Sequence, residues 1–398
     1  MSQERGTIPL YTRRTGLDPS DELRRATEGQ PVSTLGEVPE GGTAWLVTGY
    51  HEVRQVLGDH VRFSTRRRVG SRAQDADGYR PDEAIGQLMD YDPPDHTRLR
   101  KMLTPEFTHR RIRRLGPRIE EIVEERLDHV ERAGQPADLV ERFATPVAGA
   151  VLCELIGVPR DDRGDFLRRC HTHLATGQGR QRRASAGNAF TRYLAALVAR
   201  QRADPDEGFI GMLVRDHGEE FTDKELRGVC VLLMLAGLDN ISGMIGLGTL
   251  ALLQHPDQLA ALRRDPAALD RAVDELLRHL SVPHAPTPRT ALEDVTVAGR
   301  RIKAGDTVVC SIPMANRDPA LTALPDRLDL MREPVAHVAF GHGIHHCLGA
   351  ALARQELRIA FAALLRRFPA LRVAEPARDV AFRVRSTAYG VESLPVAW

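Results

Sequence analysis

The chain has 398 residues, of which 42% are hydrophobic and 27% charged, and its net charge is +1. Those proportions are ordinary for a soluble globular protein, and a near-neutral chain is not a nucleic-acid binder as a whole. Its five cysteines (Cys153, Cys170, Cys230, Cys310 and Cys347) are scattered without a CxxC pair, which argues against a disulfide framework and for a reducing, cytoplasmic setting.

Residues 1–20 are polar and lack the apolar core of a signal peptide. Residues 44–48 predict a short strand leading into a helix at 51–57, and 65–92 read as irregular. Helical spacing then predicts helices over 96–103, 110–132, 146–156, 161–173, 184–204, 224–253, 257–264 and 267–280. The stretch 229–253 is long and apolar enough to cross a bilayer. Asp239 and Asn240 at its centre would be costly in lipid, so the expectation is a buried helix and no membrane anchor. Strand patterns come late, at 295–297 and 301–303 around a turn at Ala298-Gly299, and again at 307–311. A last helix is expected at 348–368, ended by Pro369. No linker or repeat divides the chain, so residues 1–398 read as a single domain, mainly α with small β-sheets.

The segment Phe340-Gly-His-Gly-Ile-His-His-Cys-Leu-Gly349 precedes that last helix. A cysteine at a helix N-terminus meets unpaired N–H groups that favour a thiolate. Gly341, Gly343 and Gly349 remove side chains where a flat ligand would press on backbone. A thiolate on haem iron pushes electron density toward bound O₂. Zinc held by His342, His345, His346 and Cys347 is the alternative, although no second Cys/His pair of suitable spacing is present to close such a site.

Four other segments bear on the choice. Glu275-Leu-Leu-Arg278 puts a carboxylate and a guanidinium on one helix face. His96 and Arg100 share the i,i+4 spacing that aims both in one direction, and Arg289 offers a third cation. The two propionates of haem need such partners when buried. Ala236-Gly-Leu-Asp239-Asn240 places a glycine and two polar residues at the middle of the apolar helix, where a groove could open over the iron.

Together, FGxGxHxCxG, ExxR, HxxxR and the mid-helix AGxD resemble the cytochrome P450 family, in its order and over essentially the whole chain. The resemblance implies a mainly α fold with a long central helix over buried haem b. It implies Cys347 as the iron's axial ligand, with Phe340, Gly341 and Gly349 in the cofactor loop. His96, Arg100, Arg289 and His345 would hold the propionates, and Glu275 and Arg278 would tie down the loop before the cysteine. Asp239 and Asn240 become the catalytic pair, and Leu232, Ala236, Asn240, Val282, Thr287 and Tyr389 the substrate pocket.

Within that family the chain is similar to the peptide-crosslinking enzymes of glycopeptide-antibiotic assembly. The carrying segments are Leu17-Asp-Pro, Phe63-Ser-Thr-Arg-Arg-Arg68, Met89-Asp-Tyr-Asp-Pro-Pro94, Pro159-Arg-Asp-Asp-Arg163, Leu238-Asp-Asn-Ile-Ser-Gly-Met244 and Pro286-Thr-Pro-Arg289. The implied reaction is oxidative phenol coupling on a nonribosomal peptide tethered to a peptidyl carrier domain. An adjoining X domain would be met by Arg160, Asp161 and Asp162. The implied electron donor is a ferredoxin with its reductase, docking on Arg110, Arg111 and Arg113, and the implied state is a monomer. One departure stands out: Asn240 occupies the place of the family's usual threonine, which puts ordinary hydroxylation geometry in doubt. A hydroxylase of a small metabolite and a non-catalytic haem sensor are the alternative functions.

Overall fold

A computed structural model of the protein describes residues 8–38, 41–66, 85–174, 180–283, 288–384 and 386–398. Its main helices are Asp95–Leu103, His109–Ala133, Thr145–Ile156, Arg163–Leu174, Arg180–Ala203, Phe209–His217, Asp223–Gln254, Pro256–Arg264, Leu269–Leu280 and Ala350–Arg367. Local signals account for their ends. Thr222 and Glu225 form a reciprocal capping box at the start of Asp223–Gln254. Thr145–Ile156 carries Pro146 in its first turn and stops at Gly157, whose φ of 88° is left-handed.

Asp223–Gln254 is the spine. Every residue from 241 to 252 is buried, packed against Thr145–Ile156, Arg180–Ala203, Leu269–Leu280 and Ala350–Arg367. Close approach requires glycine here: a Cβ at Gly248 would stand 3.2 Å from a ring carbon of Phe361. The segment that is long and apolar enough for a bilayer thus spends its apolar surface on other helices of the same chain.

The strands assemble over long sequence distances. One sheet runs in the order Val32–Glu37, Thr43–Val47, Thr307–Cys310, Arg289–Ala291, Phe63–Ser64. The expected late hairpin forms as Val295–Val297 with Arg300–Ile302, and Ala298 and Gly299 both take positive φ at its turn. Thr307–Cys310 is not a local continuation of that hairpin. It pairs in parallel with Thr43–Val47, with Thr307 opposite Ala44. The Asp306 carboxylate secures this join, accepting from the Thr43 N–H at 2.8 Å, the Trp45 indole N–H at 2.8 Å and the Lys303 N–H at 2.9 Å.

Glu275 and Arg278 form the anchor beneath the cysteine loop. Both side chains are buried, and Arg278 donates to both carboxylate oxygens at 2.7 Å. Arg278 also reaches the carbonyls of Asn316 at 2.7 Å and Pro325 at 2.8 Å. Arg332, which sequence reasoning did not single out, adds a contact to Glu275 at 3.2 Å. Asn316 in turn accepts from the Val338 N–H at 2.7 Å, so the network extends into the segment that leads to Cys347.

Candidate cofactor and active site

Cys347 lies just before helix Ala350–Arg367, whose N-cap is Gly349. Its N–H donates to the Phe340 carbonyl at 2.9 Å, closing the loop on itself. Gly341 and Gly343 take φ of 72° and 73°, and a Cβ at Gly343 would stand 2.8 Å from the Gly58 Cα. Gly349 is different: a Cβ there would meet no protein atom within 4 Å, so nothing in the chain itself demands glycine. A flat group seated against the loop supplies the reason. On its other side, the Phe340 ring carries the Arg354 guanidinium 4.6 Å from its centroid.

Of the five cysteines, Cys347 alone is exposed; burial pushes the other four thiols up to about 12. Protein still surrounds the Cys347 sulfur on most sides, so its thiol is raised, first by burial and against the Gly349 N–H, Arg100 and Arg354. The Gly349 N–H at the helix start pulls toward the thiolate, as expected, and burial opposes it. A bound metal cation would add to that pull, since it takes sulfur as the thiolate.

The expected cationic residues converge. His96 and His345 have ring centroids 4.4 Å apart. Among the described residues, each has a buried Nε2 with no partner. His345 is pushed down to about 3 by burial and then by Arg289, His96 and Arg100, against the pull of Asp92. His96 is lowered by burial and Arg100, and Arg289 by burial, opposed by Cys310 and Asp92. Two guanidiniums beside two imidazoles, each imidazole with a buried Nε2 that has no partner among the described residues, fit a dianion, and the propionates of haem have that charge. Zinc does not fit: among the described residues no three His, Cys, Asp or Glu side chains converge as metal ligands.

The central helix is covered from residue 241 to 252, but within 231–240 one face is open: Leu232, Asp239 and Asn240 are half-buried and Ala236 is exposed. Asn240 Nδ2 donates to the Ala236 carbonyl at 2.6 Å, the backward bond to residue i−4 that a threonine hydroxyl would make. One amide N–H is therefore committed to the helix, and the carbonyl oxygen with the second N–H is left to hold water. Asp239 faces Arg383, 3.8 Å away, a residue that no sequence motif signalled.

Two expected pocket residues are not on that open face. Val282 and Tyr389 are each 1% exposed. The Tyr389 hydroxyl donates to the Gly16 carbonyl at 2.7 Å, its ring stacks on Phe382, and Arg14 lies 4.6 Å above it. Both pack against Gly243 of the central helix, where a Cβ would stand 2.6 Å from the Tyr389 carbonyl oxygen and 3.3 Å from a Val282 methyl carbon. Thr287 lies outside the described residues.

The expected docking residues divide in the same way. Arg110 and Arg113 are exposed, whereas Arg111 turns to the buried Glu106 carboxylate at 3.0 Å. Arg160 and Asp161 are exposed on a turn that enters helix Arg163–Leu174. Asp162 accepts from the Tyr193 hydroxyl at 2.7 Å, and Arg163 bonds the Val158 carbonyl at 3.0 Å and Glu154 at 2.9 Å. The outer pair presents charge to solvent and the inner pair holds the turn in place.

Comparison with known proteins agrees with this geometry. The cytochrome P450 family model matches residues 177–377. "Cytochrome P450 165B3" of Amycolatopsis orientalis is 58% identical over 392 residues, covering 98% of each chain. The solved structure of P450 StaH from glycopeptide antibiotic A47934 biosynthesis superposes with a TM-score of 0.91 at 59% identity, over 98% of this chain and 100% of that one. The complex of the X-domain and OxyB from teicoplanin biosynthesis gives 0.90 at 62% identity, with the same coverage.

Proposed function

The chain belongs to the cytochrome P450 family, and from that premise we propose that it joins aromatic side chains of a nonribosomal peptide held on a carrier domain. The observation that carries this reading is the 59–62% identity, over nearly the whole chain, to structures named for glycopeptide-antibiotic biosynthesis. The bond assigned is an aryl ether, on the likeness of Asp239-Asn240-Ile241-Ser242 to that subgroup.

Haem bound at Cys347 would supply the activation of O₂. The overall balance is that the two rings lose two hydrogens, and these, with two electrons and two protons from outside, reduce one O₂ to two waters. No oxygen enters the product. The chain's own residues set the conditions. Cys347 would hold the iron through its sulfur; Arg100 and Arg289 would neutralise the propionates, with His96 and His345 as hydrogen-bond donors to them; Leu232 and Ala236 would leave room for substrate. Asp239 and the Asn240 carbonyl oxygen hold water in the groove. Arg110 and Arg113 offer an acidic ferredoxin a basic face, and Arg160 and Asp161 are the exposed contacts assigned to an X domain. The five unpaired cysteines suit a reducing compartment, so the reaction is assigned to the cytoplasm.

The test is to incubate the enzyme with a carrier-bound aromatic heptapeptide, a ferredoxin and its reductase. Loss of two hydrogens from the peptide supports the reading; gain of one oxygen returns the chain to the hydroxylases. Changing Arg160 and Asp161 to Ala should weaken X-domain binding by about 1–3 kcal/mol if they are interface anchors, and leave oxidation of a free phenol intact.

A further inference from the structure

The central helix meets the C-terminal segment at a charged contact that the reading above leaves without a role. Arg383 Nη1 lies 3.8 Å from Asp239 Oδ1, close enough for strong attraction and too far for a hydrogen bond. The Arg383 backbone is fixed, its N–H donating to the Gly390 carbonyl at 2.7 Å. Its guanidinium sits in a slot that two glycines keep open. A Cβ at Gly390 would stand 2.7 Å from Nε, and one at Gly243 would stand 3.2 Å from Nη2. Among the described residues, Nε and Nη2 are buried without a hydrogen-bond partner. Burial lowers the guanidinium's affinity for its proton, and Asp239 and Glu392 oppose that.

We propose that Arg383 is the positioning residue for proton delivery on the distal side: it holds the Asp239 carboxylate at the groove beside Asn240. Two features of the site require such a residue. Reduction of O₂ to water consumes protons from solvent; the Asn240 amide, which donates to the Ala236 carbonyl, does not titrate, so the work falls on Asp239. A bidentate guanidinium would occupy both oxygens of that carboxylate. A cation held just beyond hydrogen-bond range fixes its direction and leaves its lone pairs to water. The slot performs that spacing, because Arg383 is anchored through its backbone and not through Asp239.

The inference rests on the haem-thiolate reading but not on the peptide substrate, and the experiment separates the two. Holoenzyme with ferredoxin, reductase and NADPH is run without substrate and with carrier-bound peptide, and oxygen is followed to peroxide or water. In Arg383→Gln the share of oxygen reaching water should fall about tenfold, within the usual reach of a proton-transfer group. Peptide affinity, read from the Soret shift, should stay within about twofold. Arg383→Lys should recover most of the loss. Gly390→Ala, which crowds the guanidinium out of its slot, should reproduce it. Arg383→Gln combined with Asp239→Asn should be no worse than Asp239→Asn alone, and a crystal structure of Arg383→Gln should show the Asp239 carboxylate turned from its wild-type rotamer. An unchanged peroxide share, a lysine variant as poor as glutamine, losses that add, or a peptide affinity that falls in step with turnover would each overturn the proposal. Normal peroxide partition with no crosslinked product would instead indict the assigned substrate.

Discussion

Replacing Glu275 with alanine isolates the anchor under the cysteine loop. Four donors converge on this carboxylate: two from Arg278 at 2.7 Å, the Asp329 N–H at 3.0 Å and Arg332 at 3.2 Å. Removing it leaves the Arg278 guanidinium, which is 0% exposed, charged and without a counter-ion. Breaking a buried pair from one side costs about 3–5 kcal/mol, a large part of the roughly 5–15 kcal/mol that separates folded from unfolded protein. The carbonyls of Asn316 and Pro325 still accept from Arg278, which places the expectation toward the lower half of that range. Urea titration read by tryptophan fluorescence should show a lower midpoint with an unchanged slope. Glu275→Gln, which keeps one acceptor oxygen, should lose less. A loss below about 1 kcal/mol in the alanine variant would refute the view that this pair is a desolvated anchor.

Cys347→Ser should abolish the red-shifted Soret band of the reduced carbon monoxide complex, because a hydroxyl is a far weaker donor to iron; retention of the band would show that another residue is the ligand. Arg100→Ala and Arg289→Ala should each weaken haem retention by about 2–5 kcal/mol if the propionate they face is fully desolvated, measured as haem transfer to an acceptor globin. Equal transfer rates in wild type and both variants would remove these residues from the propionate site. Glu154 tests pH dependence. Burial would raise its carboxyl, but Arg118 at 3.0 Å and Arg163 at 2.9 Å hold it below the ordinary glutamate value of about 4.5. The unfolded chain therefore takes up this proton first, and the stabilisation present near neutral pH is lost as pH falls through and below about 4.5. Thermal melts from pH 6 to pH 4 should decline less steeply in Glu154→Gln, and parallel curves would contradict the assignment.

The sequence by itself determined what depends on neighbours along the chain. Helix hydrogen bonds run from residue i to i−4, so apolar spacing and caps were enough to place Asp223–Gln254 within a residue of its ends. The cysteine loop is equally local, since Phe340, its glycines and Cys347 close on one another within a single turn. The cationic corner was legible because His96, Arg100, Arg289 and His345 each sit in a motif, although their convergence joins three distant segments.

What only the tertiary structure decided depends on partners far away in the chain. Thr307–Cys310 reads as part of a nearby hairpin, yet its parallel partner is Thr43–Val47, and strand pairing leaves no period in the sequence to announce it. Tyr389 was expected beside the substrate, and only the fold shows that its hydroxyl bonds the Gly16 carbonyl and its ring stacks on Phe382. Arg383 carries no motif at all, and its meeting with Asp239 exists only because the C-terminal segment folds back over the central helix. In each case a side chain's role was set by which group reached it first across the fold, and direct contact between groups hundreds of residues apart has no counterpart in local spacing.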